Sequence, residues 1–310
     1  MKHNISVIIP TYNYGRFIAA AVESALGQTL APAEVIIVDD GSADTTAEAV
    51  ARFGGRVRYI RQENAGVCRA RNRGVKESRG ELIAFLDADD IWEPTKLEKQ
   101  AAIFAADKAT GLVHCGMREF DSETGRTIAL HLEGGEGRVA EELLLWEKPV
   151  IIGPGGTIMV TREAFDVAGG FDERLRCGED WDFCYRVARR YKVGFVREPL
   201  VNYRSHPAAA HRNVREMERG MGLFYEKAFA EGGPEILRLR RRALGNYNRI
   251  LAGSYFQAGQ YGDFLRTAAK SVWYRPAAIG YFAAFPFRKF SKLRMKTNQS
   301  GETKGGGESR

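Results

Sequence analysis

Cysteine is scarce in this sequence and shows none of the spacings that mark a metal site or a disulfide framework. The 310 residues contain four cysteines, at Cys68, Cys115, Cys177 and Cys184. Their scattered positions exclude a closely spaced zinc-binding set and the framework of a small disulfide-rich protein. We therefore expect reduced thiols, which are typical of a protein from the cytoplasm.

Long apolar runs are also missing. The apolar stretch nearest to the first residue, Ile5–Pro10, is too short for the core of an export signal. No run approaches the roughly 18 apolar residues that a membrane-spanning helix requires. Hydrophobic residues make up 44% of the chain and charged residues 27%, which is typical of soluble globular proteins. The sequence thus predicts a soluble cytoplasmic protein.

Positive charge is unevenly distributed along the chain. The net charge is +7, yet residues 212–296 contain 17 Lys or Arg and 6 Asp or Glu. The first 211 residues are therefore slightly acidic, and the two parts are expected to serve different purposes. This predicts a globular domain over residues 1–211 and a basic region over residues 212–296. Residues 297–310 are polar and glycine-rich, which predicts a disordered tail.

In the first third of the chain, short apolar runs alternate with helical patterns. Runs without polar alternation are typical of strands buried on both faces of a parallel sheet. Four such strands separated by helices predict an α/β fold with a mainly parallel central sheet. Right-handed crossovers would place the carboxyl ends of all four strands at one edge. The expected strands are Ile5–Pro10, Val35–Val38, Val57–Arg61 and Leu82–Leu86.

The remainder of the chain has a less regular pattern. A loop is expected at Ile151–Gly156, and a mainly helical region from Arg212 to about Trp273. The other expected helices are Pro94–Ala106, Val139–Trp146 and Glu179–Tyr191. The other expected strands are Leu112–Phe120, Thr157–Val160, Val193–Val196 and Leu200–Tyr203.

Three carboxylates, Asp87, Asp89 and Asp90, directly follow the fourth expected strand. Because like charges repel, such a cluster favours a bound cation, and hard oxygen ligands favour Mg²⁺ or Mn²⁺. Open α/β sheets bind ligands at the carboxyl ends of their strands. The pattern therefore predicts a divalent-metal site that also holds a phosphate-bearing ligand. A solvated acidic turn that caps the next helix explains the segment equally well on its own.

Two further groups fall near the same edge of the predicted sheet. Asp40 ends the second strand and could accept hydrogen bonds from a nucleobase or ribose, although a simple turn with Gly41 is the preferred explanation in isolation. Arg69, Arg71 and Arg73 lie on the helix after the third strand, where an arginine could bind a diphosphate. A solvated basic face is the alternative, and we prefer it for Arg73.

Asp180 and His206 are candidate functional residues in the second half of the chain. Asp180 lies at the start of a predicted helix, where the helix dipole would stabilise its ionised form. A carboxylate that is ionised at neutral pH can act as a general base. His206 follows the last expected strand and could bind a metal ion or a phosphate. An acidic helical turn and a surface histidine are the alternatives.

Six motifs occur in the order seen in family 2 glycosyltransferases, and the chain resembles that family from Ile5 to His206. The motifs are ISVIIPTYN, EVIIVDDGSADTT, NAGVCRARNRGV, ELIAFLDADD, GGFDERLRCGEDWDFCYRV and YRSH. The resemblance implies a GT-A nucleotide-sugar-binding fold for the catalytic domain, residues 1–211, with a helical C-terminal appendage. It also implies that sugar transfer inverts the anomeric carbon.

The resemblance also assigns roles to individual residues at the nucleotide. It implies that Asp40 contacts uracil, that Pro10 and Tyr12 line the base site, and that Arg71 lies near the nucleotide. Asp87 is similar to a residue that contacts the ribose or the metal ion. The implied donor is a nucleotide sugar, with UDP as the expected nucleotide.

The remaining roles implied by the resemblance concern the metal ion and the reaction. Asp89 is similar to the principal ligand of Mn²⁺ or Mg²⁺, and His206 to a residue that helps to hold the metal or the diphosphate. Asp180 is similar to the catalytic base. The Q-x-x-R-W pattern of processive synthases is not found in the sequence, so we expect the addition of a single sugar.

The implied acceptor is a hydroxyl of a glycan or of a lipid-linked molecule, as in the synthesis of cell-surface polysaccharides and glycoconjugates. A catalytically inactive scaffold that binds a nucleotide sugar or glycan is the alternative, but it would be marked by the loss of Asp89 or Asp180, and both are present. Nucleic acid is not an expected partner, because the basic surplus lies outside the α/β domain and no nucleic-acid-binding module is visible.

The basic C-terminal region is expected to dock on an anionic membrane at its inner, cytoplasmic face. Basic residues cluster at 238–242 and 288–296, and the aromatic-rich segment Ala277–Phe287 lies between them. Such a combination is typical of segments that bind the membrane interface. A helical appendage packed on the α/β domain explains the region equally well. A homodimer contact and a groove for an acidic acceptor are further alternatives.

Overall fold

The computed structural model describes residues 4–206 and 213–283 of the chain. The chain forms two compact units, of which the first extends to Ile236 and the second begins at Leu237. The boundary therefore follows Ile236 rather than residue 211, because the helix Val214–Ala230 belongs to the first unit. The expected tail, residues 297–310, lies outside the described residues, as do residues 284–296 of the basic region.

Nine strands form one sheet within the described residues. They are β1 (Ile5–Thr11), β2 (Glu34–Asp39), β3 (Arg58–Arg61), β4 (Leu82–Phe85), β5 (Ile91–Trp92), β6 (Thr110–Asp121), β7 (Thr127–His131), β8 (Met159–Thr161) and β9 (Lys192–Ser205). Their order across the sheet is β3-β2-β1-β4-β8-β6-β9-β5, and β7 pairs with β6.

The direction of the strands confirms a mainly parallel α/β sheet. Strand β1 is parallel to β2 and β4, and β2 is parallel to β3, as the sequence predicts. Strand β8 is antiparallel to both β4 and β6, so β6 runs in the same direction as β4. Strand β9 is parallel to β6. Six of the nine described strands thus share one direction, while β5, β7 and β8 oppose it.

Helices of the first unit cover the sheet and connect its strands. The structure differs from the sequence-based expectation at several places, and strands β5 and β7 were not expected. Part of the expected loop at Ile151–Gly156 is helical, the helix Arg162–Ala168 was not expected, and the last two expected strands are one long strand, β9. The helices are α1 (Ile18–Leu26), α2 (Thr46–Ala51), α3 (Val67–Glu77), α4 (Lys96–Ala106), α5 (Ala140–Leu145), α6 (Pro154–Thr157), α7 (Arg162–Ala168), α8 (Glu179–Ala188) and α9 (Val214–Ala230).

The register of the parallel strands brings their carboxyl ends to one edge. In β1, Ile8 is opposite Phe85 of β4, and Thr11 is opposite Asp39 of β2. All residues of β1 and β4 are buried, because helices pack on both faces of this part of the sheet. The polar residues that directly follow these strands are therefore held close together by a rigid apolar core.

Helix α9 packs tightly on the first unit. Its buried face consists of Gly220, Met221, Phe224, Tyr225, Ala228 and Phe229. The Tyr225 hydroxyl donates a hydrogen bond to the carbonyl of Leu144 over 3.0 Å. Lys227 Nζ lies 2.6 Å from Asp172 and 2.8 Å from Asp182. A Cβ atom at Gly220 would overlap the carbonyl oxygen of Cys177, so this glycine permits the close approach of the helix.

The second unit is helical throughout its described part, as expected for the basic region. Helix α10 (Pro234–Leu237) precedes it, and α11 (Arg240–Gln257), α12 (Tyr261–Tyr274) and α13 (Ala278–Ala283) form it. Ser271 Oγ donates to the carbonyl of Gly245 over 2.8 Å, and Arg275 donates to Asn246 Oδ1 over 2.7 Å, so α11 and α12 are joined by polar contacts. Within residues 4–206 and 213–283, no helix is both long and apolar enough to cross a membrane.

We predict that Gly220→Ala destabilises the protein, because the added methyl group would overlap Cys177 and displace α9. The expected loss in the free energy of unfolding is roughly 1–3 kcal/mol, as for other overpacked contacts. Gly253→Ala in α11 is the matched control, because a Cβ atom at Gly253 meets nothing within 4 Å. That variant should gain about 0.5–1 kcal/mol from helix propensity. Urea unfolding followed by circular dichroism tests both, and equal effects of the two variants would contradict this account of α9.

Candidate active site

A cavity of about 740 Å³ opens in the first unit at the carboxyl edge of the parallel strands. Its volume is typical of sites for small ligands. It brings together all but one of the site residues that the sequence analysis singles out, and the exception, His206, contacts one of the cavity-lining residues. The predicted residues that line the cavity are Pro10, Tyr12, Asp40, Arg71, Asp87, Asp89 and Asp180.

Each of the three carboxylates after β4 contacts a different partner, and the partner of Asp89 is His206. Asp87 Oδ1 accepts a hydrogen bond from Arg71 over 2.8 Å, while Asp90 accepts one from the backbone N–H of Arg204 over 3.0 Å. Burial raises the pKa of Asp89, and the charge of Asp87 raises it further. Burial likewise raises the pKa of Asp90 well above its usual range. The cluster is therefore an electrostatically costly arrangement, which a bound cation would relieve.

His206 is buried and lies against Asp89. The distance between His206 Nε2 and Asp89 Oδ2 is 3.0 Å. The imidazole ring packs against Phe17, with ring centroids 5.2 Å apart, and its Nδ1 is buried without a hydrogen-bond partner among the described residues. The alternative of a surface histidine is therefore excluded, and this histidine is held beside the acidic cluster.

The described residues contain no group of three or more His, Cys, Asp or Glu side chains arranged to hold a metal ion. Asp89 and His206 supply two ligand atoms, a carboxylate oxygen and an imidazole nitrogen, that already face each other. Two protein ligands fit a metal ion that is bound together with substrate phosphates, since such ions often keep only one or two protein carboxylates. The residues present are therefore compatible with a Mn²⁺ or Mg²⁺ site that a phosphate-bearing ligand completes.

Asp40 holds the loop that follows β3 in place through hydrogen bonds. Its Oδ1 accepts hydrogen bonds from Gln62 Nε2 over 2.7 Å and from the backbone of Ala65 over 2.9 Å. Its Oδ2 accepts a hydrogen bond from the backbone of Gly66 over 2.7 Å. An ionised carboxylate has about four acceptor positions, so one remains for a ligand N–H or hydroxyl. Tyr12, which is 47% exposed, lines the same end of the cavity.

Arg71 connects the acidic cluster to the start of α8. Its guanidinium donates to Asp87 Oδ1 over 2.8 Å and to Glu179 Oε1 over 3.0 Å. Only 4% of Arg71 is exposed, which excludes a solvated basic face for this residue. Burial opposes its charge, but Asp87 and Glu179 outweigh that effect and raise the pKa of Arg71. The alternative of a solvated face holds for Arg73, which is exposed and paired with Glu77.

Asp180 lies in the first turn of α8, after a glycine at position 178 with φ 76°. Its Oδ1 accepts a hydrogen bond from the backbone N–H of Trp181 over 2.7 Å. Burial, followed by the charge of the neighbouring Glu179, raises the pKa of Asp180 to about 7. The position of Asp180 at the start of a helix predicted that the helix dipole would favour its ionised form. Burial and the charge of Glu179 act in the opposite direction and are larger. A carboxylate with this pKa can both accept and release a proton near neutral pH.

Several residues that line the cavity were not predicted from the sequence, and most of them lie on the side near Asp180. Tyr14 lies near the acidic cluster, where burial, together with the charge of Asp89, raises its pKa. The other missed residues are far apart in sequence, because they come from the end of α5, from the turn before α8, from α8 itself and from α9. They are Trp146, Arg176, Cys177, Trp181, Asn213, Glu216, Met217 and Met221. The regular spacing of Asn213, Glu216, Met217 and Met221 was the one sequence pattern that could have indicated these residues.

The cysteines have no role in the chemistry of this cavity. All four are free thiols. Burial raises the pKa of Cys177, the one that lines the cavity, to about 11. A thiol with a raised pKa is a weak nucleophile at neutral pH because little thiolate is present.

The fold and the arrangement of this cavity define an α/β protein of the GT-A type, and comparison with known proteins gives its family. The sequence profile described as glycosyl transferase family 2 matches residues 6–169. The uncharacterized glycosyltransferase RT0329 of Rickettsia typhi is 32% identical over 217 residues, which cover 67% of this chain and 67% of the relative. The chain belongs to glycosyltransferase family 2.

A relative from another bacterium agrees with this membership, and two solved structures share the fold. The uncharacterized glycosyltransferase EpsJ of Bacillus subtilis is 32% identical over 214 residues, which cover 66% of this chain and 61% of EpsJ. The mannosyltransferase PcManGT of Pyrobaculum calidifontis, in complex with GDP-Man and Mn²⁺, has a TM-score of 0.61 at 19% identity and covers 95% of this chain and 85% of its own. TarS 1–349 of S. aureus, in complex with UDP-GlcNAc, has a TM-score of 0.59 at 16% identity and covers 87% and 91%.

Proposed function

We propose that this protein is an inverting glycosyltransferase that moves one sugar from a nucleotide sugar, with UDP as the nucleotide, to a hydroxyl of a glycan or lipid-linked acceptor. The observation that carries the proposal is the single cavity in which Arg71 joins the acidic cluster after β4 to the first turn of α8. The expected setting is the synthesis of cell-surface polysaccharides or glycoconjugates. Structures of similar fold contain UDP-GlcNAc or GDP-Man, which supports a nucleotide-sugar donor.

In this proposal, the nucleotide lies at the end of the cavity formed by β1 and β2. The base packs beside Pro10 and Tyr12, and the remaining acceptor position of Asp40 receives an N–H of the base. Arg71 holds Oδ1 of Asp87, so the other oxygen of that carboxylate is available to a ribose hydroxyl. The diphosphate then extends toward Asp89.

Asp89 and His206 are the residues that would hold the metal ion. When bound, Mn²⁺ or Mg²⁺ supplies positive charge that stabilises the diphosphate as it leaves. The raised pKa values of Asp89 and Asp90, which result from burial and from the neighbouring carboxylates, support this assignment, because a bound cation would stabilise the ionised forms of both groups.

Asp180 acts as the general base in this reaction. It accepts the proton of the acceptor hydroxyl, whose oxygen forms a bond to the anomeric carbon. The bond from that carbon to the phosphate oxygen breaks, and its electron pair leaves with the nucleoside diphosphate. Because this is one displacement from the opposite face, the anomeric carbon is inverted and no covalent enzyme intermediate is required.

An inactive binding scaffold is the second candidate function. The presence of Asp89, His206 and Asp180 in or beside one cavity disfavours it, because a protein that only binds a glycan does not need a carboxylate with a pKa of about 7 there. The release of nucleoside diphosphate from UDP-sugars and GDP-sugars in the absence of an acceptor separates the two. Tight binding of a nucleotide sugar without any turnover would favour the scaffold.

We predict that Asp89→Asn abolishes both sugar transfer and the Mn²⁺ dependence of nucleoside diphosphate binding. The amide keeps the shape of the side chain but removes the charge that would hold the ion. Isothermal titration with UDP, with and without Mn²⁺, measures the effect. Asp166→Asn is the control, because Asp166 is an exposed carboxylate on α7. Undiminished Mn²⁺ dependence in the Asp89 variant would show that the metal is held elsewhere.

We predict that Asp180→Asn binds the nucleotide sugar normally and lowers turnover by about 10²–10⁴, which is the usual contribution of a general base. In the unaltered enzyme, kcat/KM should rise with pH through a midpoint at about 7 and level off roughly one pH unit above it, because Asp180 must lose its proton before it can accept another. Steady-state assays between pH 5 and 8.5 measure both effects. A flat profile, or turnover within a few-fold of the parent enzyme, would refute the role.

We also propose that the protein works in the cytoplasm, with its second unit docked on an anionic membrane surface. Tyr261, Leu265, Ala269 and Trp273 are exposed and follow helical spacing along one face of α12. The Trp273 side chain is 76% exposed, and its backbone carbonyl accepts a hydrogen bond from Arg241. Residues 237–283 contain eight Lys or Arg and one acidic residue. Exposed aromatic and basic groups together suit an anionic interface.

We predict that the full-length protein floats with liposomes that contain phosphatidylglycerol and not with neutral ones. The double variant Leu265→Ser and Trp273→Ser should lose this binding, because it removes the apolar part of the face. The matched control is Ile128→Ser with Leu130→Ser, which replaces two apolar residues of β7 that are also more than half exposed. Full binding by the α12 variant, or a lack of binding by the parent protein at low salt, would contradict the membrane contact.

A further inference from the structure

Trp146 has a backbone conformation that L-amino acids rarely adopt. It ends helix α5 with φ 47° and ψ 45°, in the left-handed region. Asn13 is the other non-glycine residue with positive φ in the described chain, and asparagine tolerates this region better than tryptophan does. A bulky residue remains in such a conformation only when the surrounding structure enforces it, and positions of this kind cluster at functional sites.

The ring of Trp146 lies in the cavity, close to the proposed base. Its centroid is 5.2 Å from that of Trp181, with the two ring planes tilted by 40°. The Trp181 indole donates a hydrogen bond to the carbonyl of Leu143, and its backbone N–H donates to Asp180. Trp181 is therefore fixed in place next to Asp180, and its ring packs against that of Trp146. Trp146 itself is half-buried and lines the cavity.

Helix α9 contributes further residues to the lining of this cavity. Asn213, Glu216, Met217 and Met221 line the cavity at positions that share one face of the helix. Met221 is fixed against the turn before α8, since a Cβ atom at Gly178 would lie 2.9 Å from its sulfur. The wall thus combines an aromatic ring and thioethers with a carboxylate, Glu216, that can accept hydrogen bonds from hydroxyl groups.

We propose that Trp146 is the platform of the acceptor subsite and that it takes a pyranose ring, whose apolar face stacks on the indole while a hydroxyl reaches Asp180. This inference rests on the proposed transfer reaction. It narrows the proposed acceptor, a hydroxyl of a glycan or lipid-linked molecule, to a hydroxyl of a carbohydrate ring. A sugar presents an apolar face of C–H groups and an equatorial rim of hydroxyls, which matches a cavity lined by both an aromatic ring and the Glu216 carboxylate. A purely apolar acceptor would desolvate the Glu216 carboxylate and offer it no hydrogen bond, and its ion pair with Arg219, at 3.8 Å, is too long to replace one.

Two substitutions at one position separate the ring from the backbone strain. Trp146→Ala removes the ring and keeps a side chain in the left-handed region, whereas Trp146→Gly removes the ring and relieves the strain. The Gly variant should therefore melt at a higher temperature than the Ala variant. If the ring binds the acceptor, both variants should raise the acceptor KM equally, by at least about fivefold. Trp146→Phe, which retains an aromatic face, should recover part of the binding.

The probes are the phenyl glycosides of glucose, galactose, mannose and N-acetylglucosamine, and the assay is the release of nucleoside diphosphate that they stimulate. Trp273→Ala is the control, because Trp273 is the exposed tryptophan of the second unit. An increase in KM that follows the melting temperature, and is therefore larger in the Ala than in the Gly variant, would overturn the platform. So would stimulation of the parent enzyme by none of the four glycosides.

Acceptor-free hydrolysis of the donor keeps this inference distinguishable from the proposed function. That background reaction should be the same in the parent enzyme and in Trp273→Ala, because Trp273 lies in the second unit, outside the cavity. If the parent enzyme hydrolyses no nucleotide sugar, the proposed function itself fails. If hydrolysis is normal but the phenyl glycosides bind equally to the parent enzyme and to Trp146→Ala, only the acceptor subsite is wrong.

Discussion

The buried guanidinium of Arg71 is the interaction on which the rest of the site depends. It joins Asp87, at the end of a central strand, to Glu179, in the first turn of α8. Removal of one partner from a buried ion pair costs about 3–5 kcal/mol, because a charge is left without compensation. Here the loss of Arg71 would leave two carboxylates unpaired beside Asp89 and Asp180. The pair therefore both stabilises the fold and allows two acidic groups to share one cavity.

Close backbone contacts around this ion pair fix the shape of the cavity. A Cβ atom at Gly155 would overlap Asp87 Oδ2, so the segment before β8 can lie directly on the acidic cluster only because it has no side chain there. Gly178 and Gly220 have the same effect on the other side, where they bring α9 against the turn that carries Asp180. The cavity is thus enclosed by helices that are distant in sequence, while its floor is the rigid edge of the sheet.

The sequence predicts the floor of the site far better than its walls. Strands β2 and β4 are apolar runs that lead directly into carboxylates, and such runs identify both the strand and its polar end. Trp146 could not be predicted in this way, because its place depends on a left-handed residue at the end of α5 and on contact with Trp181. The role of α9 was also hidden, since charge alone assigned the helix to the basic region, whereas its apolar face packs on the first unit.

The direction in which the pKa of Asp180 shifts could not be predicted from the sequence either. The start of a helix favours an ionised carboxylate, but burial and the adjacent charge of Glu179 act in the opposite direction and are larger. Neither effect can be evaluated until the positions of the residues in the folded protein are known. The same applies to Asp40, because the three hydrogen bonds that it accepts come from a loop whose position depends on β3.

The central claim is that one cavity holds the nucleotide at the acidic cluster and the acceptor at Asp180. A crystal grown with UDP and Mn²⁺, with anomalous diffraction used to locate the manganese, tests it most directly. The account predicts a manganese peak bound by Asp89 and His206, with the uracil between Tyr12 and Asp40 and the diphosphate between the metal and Arg71. A nucleotide bound outside this cavity, or a manganese ion that contacts neither Asp89 nor His206, would contradict it.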